Sequence, residues 1–106
     1  MKRLKVESTR EDERGLLIQV NTGEWKQVNR LIIKKGNSFG GHYHKHTQEL
    51  FYLLQGKVKV NLTEEINPNE CFLINPPEKH TIYAIEDSEL IVLLSEPFNK
   101  GDIWKE

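Results

Sequence analysis

The sequence predicts an all-β domain, a sandwich or closed barrel of short strands, and three observations carry that expectation. Windows with apolar residues at three- and four-residue spacing are nearly absent, so amphipathic helices have little support. Short β-branched and aromatic runs recur instead along the whole chain. The segments between them are rich in Gly, Pro, Asn and Asp, the residues that favour turns. With 106 residues there is room for one domain and one core.

Taken in order, the expected strands are LLIQV (16–20), WKQVNRLIIKK (25–35), FGGHYHK (39–45), ELFYLLQ (49–55), KVKVNL (57–62), CFLIN (71–75), HTIYAI (80–85) and ELIVLLS (89–95). In KVKVNL, Val58, Val60 and Leu62 alternate with Lys57, Lys59 and Asn61, the pattern of a sheet with one wet face. ELFYLLQ is apolar on both faces: Phe51 and Leu53 share a side with Glu49, while Leu50, Tyr52 and Leu54 take the other. One side is expected to face the barrel lumen and the other a second layer or a partner subunit, so a homodimer is the expected assembly. Residues 1–14 are highly charged and lack periodicity. They are expected to form either a loose terminus or an exchanged arm, with residues 15–106 as the single barrel domain.

Composition narrows the function classes. Hydrophobic residues make up 37% and charged residues 29%, which is ordinary for a globular chain. Fifteen basic and sixteen acidic residues leave a formal net charge of −1, so no one-signed field draws the chain toward nucleic acid or a membrane. The N-terminal segment has no apolar run of the secretory type, and Leu50–Leu54, the longest apolar stretch, is too short to span a bilayer. A cytoplasmic location is the resulting expectation. Cys71 is the single cysteine; it lies in an apolar run and reads as a buried, inert thiol.

Three of the four histidines, His42, His44 and His46, sit within five residues. Residues two apart on a strand point the same way, with Cα atoms roughly 7 Å apart, so two such imidazoles can converge on one ion. Spacing alone permits His42 with His44 or His44 with His46. Glu49 opens an apolar strand, where a carboxylate is costly unless it is paired or bound to a cation. His80 follows a proline-rich turn and begins another strand. Three neutral imidazoles and one carboxylate would hold a divalent transition metal and leave open positions for substrate, water or dioxygen.

These residues resemble the cupin superfamily. Its first motif is Gly, five residues, His-x-His, three or four residues, Glu, six residues, Gly. The chain has Gly36, His42-Tyr43-His44, Glu49 and Gly56 at that spacing. The resemblance selects His42 and His44 as ligands beside Glu49 and sets His46 at the rim. The second motif, Gly, five residues, Pro-x-Gly, two residues, His, three residues, Asn, is met only in part. Aligned on His80, it places Asn69, Asn75, Pro77 and Ala84 where the family has Gly, Pro, Gly and Asn. Asn69 can still adopt the left-handed backbone that Gly supplies. The resemblance implies a double-stranded β-helix (cupin) barrel, jelly-roll-like and often dimeric, binding one divalent metal such as Fe, Mn, Ni or Zn through His42, His44, Glu49 and His80.

Around that centre, parity brings Phe51, Leu53, Ile82 and Ala84 to the lumen. Phe39 offers a wall, and Ala84 leaves room for a small-molecule ligand. Arg30 would clamp a carboxylate or phosphate if its face turns inward, and is otherwise a surface or salt-bridged residue. Trp25 reads as packing. The tail, with Phe98, Ile103 and Trp104, is expected to fold back over the barrel mouth or an interface. The functional expectation is a metal-dependent enzyme acting on a small oxygenated metabolite, a sugar or keto acid. Its chemistry would be that of an isomerase, epimerase or lyase, with a dioxygenase ranked below, and His46 or Tyr83 as proton-moving groups. The alternative is a non-catalytic sensor or binding module.

Overall fold

In the computed structural model, which describes residues 1–104, the chain forms eleven strands and one turn of 3-10 helix. The strands are β1 (Lys2–Leu4), β2 (Ser8–Asp12), β3 (Gly15–Gln19), β4 (Gln27–Ile33), β5 (Ser38–His42), β6 (Glu49–Gln55), β7 (Val58–Val60), β8 (Glu64–Ile66), β9 (Cys71–Ile74), β10 (His80–Ala84) and β11 (Ser88–Leu94). They make a five-stranded sheet in the order β1-β9-β6-β11-β4 and a four-stranded sheet in the order β5-β10-β7-β8. Every pairing is antiparallel. Antiparallel sheets packed face to face make a jelly-roll sandwich, as the sequence predicts.

Alternation fills the space between the sheets. Ile33, Phe51, Leu53, Phe72, Leu90 and Val92 come from the five-stranded sheet, and Val58, Val60, Ile66, Ile82 and Ala84 from the other, forming one buried cluster. Phe51 and Phe72 stack with ring centroids 4.8 Å apart and planes 6° from parallel. The outer face of the five-stranded sheet carries a second cluster of Leu50, Tyr52 and Cys71, covered by Leu4, Val6, Val20 and Trp25. This cover is why β6 can be apolar on both faces. Trp25 packs here, and Cys71 is a buried free thiol.

Several local features depart from the alternating pattern. Leu62 is 75% exposed rather than inward, because β7 ends at Val60 and the chain turns through left-handed Asn61 and Leu62 toward β8. Asn69 does adopt the left-handed conformation, at φ 69°, and its side chain accepts a hydrogen bond from the Tyr52 hydroxyl. Gly56, the last residue of the first motif, has φ 94°, and a Cβ there would lie 2.4 Å from the Asp87 carbonyl oxygen. That position therefore requires glycine. At the N-terminus, β1 pairs with β9 in the main sheet, while β2 and β3 form a separate two-stranded ribbon. The expected boundary after residue 14 falls in the turn of that ribbon.

Candidate active site

The ends of both sheets supply the site. β5 ends on His42, which is the cross-strand partner of His80, the first residue of β10. Glu49 opens β6 on the opposing sheet, between β9 and β11. His44 follows β5 in a short extended stretch held by a bridge, in which Tyr43 and Trp104 exchange backbone hydrogen bonds of 2.9 Å in both directions. One ligand atom from each of His42, His44, Glu49 and His80 lies within 4.8 Å of the others. The four residues of the first motif and its degraded companion are thus brought together.

The approach of β5 to β10 depends on a residue that the motifs do not mark. Gly40 has φ 111°, and a Cβ on it would sit 2.4 Å from the His80 carbonyl oxygen. A side chain there would push His42 and His80 apart. His80 and Thr81 also straddle a register shift in the β5–β10 pairing.

Charge at this centre is unbalanced. Glu49 is 8% exposed, and its Oε1 lies 2.9 Å from His44 Nε2 and 3.3 Å from His80 Nε2. No donor is aligned on that oxygen, so it is buried without a hydrogen bond. Such a group is costly unless a cation or proton occupies the space it faces. The Glu49 carboxylate raises the His44 pKa, against burial. His80 behaves oppositely: burial lowers its pKa to about 4, so it is a neutral imidazole near pH 7. His44 Nδ1 donates to the Asp102 carbonyl oxygen at 2.9 Å, which leaves Nε2 directed at Glu49. Closely spaced imidazoles, at least one held neutral, and an unsatisfied carboxylate oxygen match the donor set of a divalent transition metal.

The quartet opens into a cavity of about 520 Å³ lined by Phe39, Phe51, Ile82, Val92, Leu94, Phe98 and Ile103, with Asn29 and Arg30 on one wall. That volume is in the usual range for small-molecule sites. Phe39 and Phe51 both line this cavity. Other expectations need correction. Ala84 is fully buried and packs in the core, because β10 carries it deeper than the cavity floor formed by Ile82. Leu53, two residues beyond Phe51 on β6, also lies in the core rather than in the cavity lining. Tyr83 is 38% exposed and alternates away from His80 and Ile82, so it points out of the barrel. His46 lies in a separate depression with Thr47, Glu96 and Phe98. Neither Tyr83 nor His46 lines the cavity. Arg30 borders the cavity, but it lies on the face of β4 opposite to Leu31 and Ile33, its side chain is exposed and its guanidinium is ion-paired with Glu89, so its face does not turn inward.

The tail does fold over the mouth, through Phe98 and Ile103. Asp102 is the residue that the sequence reading missed. It is 4% exposed, and its carboxylate accepts hydrogen bonds from the backbone N–H groups of Lys45 (2.9 Å) and His46 (3.1 Å) and the Thr47 hydroxyl (3.1 Å). A lone Asp in a polar tail carries no periodicity that would have marked it.

Solved structures of similar shape share this architecture. A double mutant of a 3,4-ketoisomerase from Thermoanaerobacterium thermosaccharolyticum, in complex with TDP, superposes with a TM-score of 0.82 at 26% identity, covering 98% of this chain and 86% of that one. A 3,4-ketoisomerase from Helicobacter canadensis gives 0.82 at 21% identity over 99% and 90%. A dTDP-4-dehydrorhamnose 3,5-epimerase from Sulfolobus tokodaii gives 0.75 at 19% identity over 90% and 70%. No curated protein matches the sequence. Among the described residues no helix is long and apolar enough to cross a membrane. Residues 29–96, which carry His42, His44, Glu49 and His80 and the strands from most of β4 to β11, match the family model for the cupin domain, and the chain belongs to that family.

Proposed function

We propose that this protein is an isomerase or epimerase of a keto-sugar, with His42, His44, Glu49 and His80 holding one divalent metal ion at its reacting centre. The observation that carries the reading is the buried Glu49 Oε1, which faces two imidazole nitrogens with no donor aligned on it, at the floor of a cavity of about 520 Å³. The similarity to sugar 3,4-ketoisomerases and a 3,5-epimerase supports the substrate class. A bound metal would supply Lewis-acid polarisation of a substrate carbonyl. The chain's own part is to fix the three imidazoles and the carboxylate around one point and to surround that point with the apolar rings of Phe39, Phe51 and Phe98. Among the described residues lining the cavity, the quartet and Arg30 are the only ionisable side chains. With the quartet committed to the ion, proton movement next to the carbonyl therefore falls to water held there.

A second reading has its own observation. In the absence of metal, His44 is biased toward its cationic form by Glu49, while buried His80 stays neutral across the same carboxylate. Two imidazoles with opposed protonation preferences make an acid and a base. The same isomerisation would then run on the quartet alone.

One experiment separates these readings. Nucleotide-linked 4-keto sugars are incubated with the protein in deuterated water, and label entering the carbon next to the carbonyl is followed by NMR. Label that enters only after a divalent metal is restored to chelator-treated protein supports the metal reading. Label that enters equally after chelation supports the acid–base reading. No label with any keto-sugar, alongside tight binding of one, would leave a ligand-binding module.

A further inference from the structure

Asp102 is a buried carboxylate that the proposed chemistry does not use. It lies outside the cavity lining, yet its carboxylate hydrogen bonds run to the segment that joins His44 to Glu49 and its carbonyl oxygen to His44 itself. Two oxygens of different kinds act there. The carboxylate takes the N–H groups of Lys45 and His46 and the Thr47 hydroxyl, and so fixes three successive residues of the four-residue spacer. The backbone carbonyl takes the Nδ1 proton of His44. A carbonyl oxygen can only accept, so this contact requires that Nδ1 carry the proton and leaves Nε2 for the cavity.

The surrounding tail holds Asp102 in register. The Asn99 side chain accepts the Gly101 N–H at the start of the 3-10 turn, and Trp104 pairs with Tyr43 through two backbone hydrogen bonds. Lys45 Nζ sits 3.8 Å from the centre of the Trp104 ring, a cation–π contact that joins the spacer to the tail once more. Burial would raise the Asp102 pKa, but the two N–H groups and the hydroxyl outweigh it and hold the carboxyl below its usual value.

We infer that Asp102 is the positioning residue of the quartet, its carboxylate setting the path of residues 45–47 and its carbonyl fixing which nitrogen His44 presents to the cavity. The inference rests on the proposed metal reading only for its affinity test. Outer-sphere partners of this kind typically change metal affinity by about 10- to 100-fold when removed. The step is positional, since Asp102 does not reach the cavity and touches no substrate.

The test combines ring NMR with zinc binding on the full chain. Protein labelled with 15N-histidine is expected to show His44 Nδ1 protonated, both after chelator treatment and with zinc bound. In Asp102→Ala and Asp102→Asn variants that retain a cooperative melting transition, that signal shifts toward a mixture of forms and zinc binding weakens by about 10- to 100-fold. A Thr47→Val variant, which removes one of the three carboxylate contacts, keeps the parent's ring signal. The inference is overturned if His44 Nδ1 is unprotonated in the parent, a result that needs no variant to fold. It is equally overturned if folded Asp102 variants match the parent in both readouts. A parent that binds no zinc but shows the Nδ1 proton and its loss on substitution would sink the metal reading and leave this one standing.

Discussion

At the level of single residues, two imidazoles of the site are shifted in opposite directions, His80 downward by burial and His44 upward by Glu49. His80 is 3% exposed, and desolvation brings its pKa down to about 4 from an ordinary 6.5. In the unfolded chain the same ring takes up a proton as pH falls through about 6.5, while the folded form refuses it until about 4. Stability of metal-stripped protein should therefore fall as pH is lowered across that window, by an amount on the order of 3 kcal/mol. His44, raised by Glu49, is protonated in both states over most of this range and adds little slope. Denaturation midpoints measured from pH 7 to pH 4 check this: an His80→Asn variant should show a flatter curve than the parent, and parallel curves would refute the assignment. Strand spacing made a histidine pair and Glu49 legible in the sequence, and the resemblance to the cupin motif selected His42 over His46. Asp102 and Gly40 were not legible. The first acts through a carbonyl and a loop, and the second through the absence of an atom.

At the level of elements, the two sheets were legible wherever alternation carried information. β6, β9, β10 and β11 lie close to where their apolar runs placed them. β1, β2 and β8 were missed because KRL, STRED and EEI hold too few apolar residues to declare a face. The pairing of β5 with β10 is the element contact on which the site depends most. It sets His42 opposite His80, and it tolerates no Cβ at Gly40. Gly40→Ala combines a disfavoured positive φ with a clash against backbone, so it should destabilise the fold by more than about 1 kcal/mol. The clash is at His80, so metal affinity should fall together with stability. A thermal melt and a zinc titration on the same sample check both. Gly41→Ala supplies the comparison: it shares the positive φ but has open space around the Cβ, so it should lose stability with less effect on zinc.

At the level of the whole molecule, the described residues leave apolar surface exposed on the ribbon and on the sheet edge. The β2–β3 ribbon is paired only with itself and exposes Leu16 and Leu17 at 53% and 57%. β4, the edge of the five-stranded sheet, exposes Val28 and Ile32 at 63% and 57% on its outer face. A two-stranded ribbon is marginal alone in water, and an open apolar edge strand invites pairing. The outer face of β6, which led to the expectation of a homodimer, is covered by the chain's own Leu4, Val6, Val20 and Trp25. Contact between two copies that covers the ribbon and the edge together would nevertheless remove both liabilities, and this is the physical case for a homodimer. Sedimentation equilibrium should then give twice the chain mass. Ile32→Lys is the informative variant, since an exposed position costs the isolated chain less than about 0.5 kcal/mol while a charge in an apolar contact is costly. The variant should sediment as a folded monomer with faster amide exchange in residues 8–19. A parent that stays monomeric at every concentration would refute the dimer. A dimeric variant with unchanged exchange would place the contact elsewhere on the surface and refute this interface.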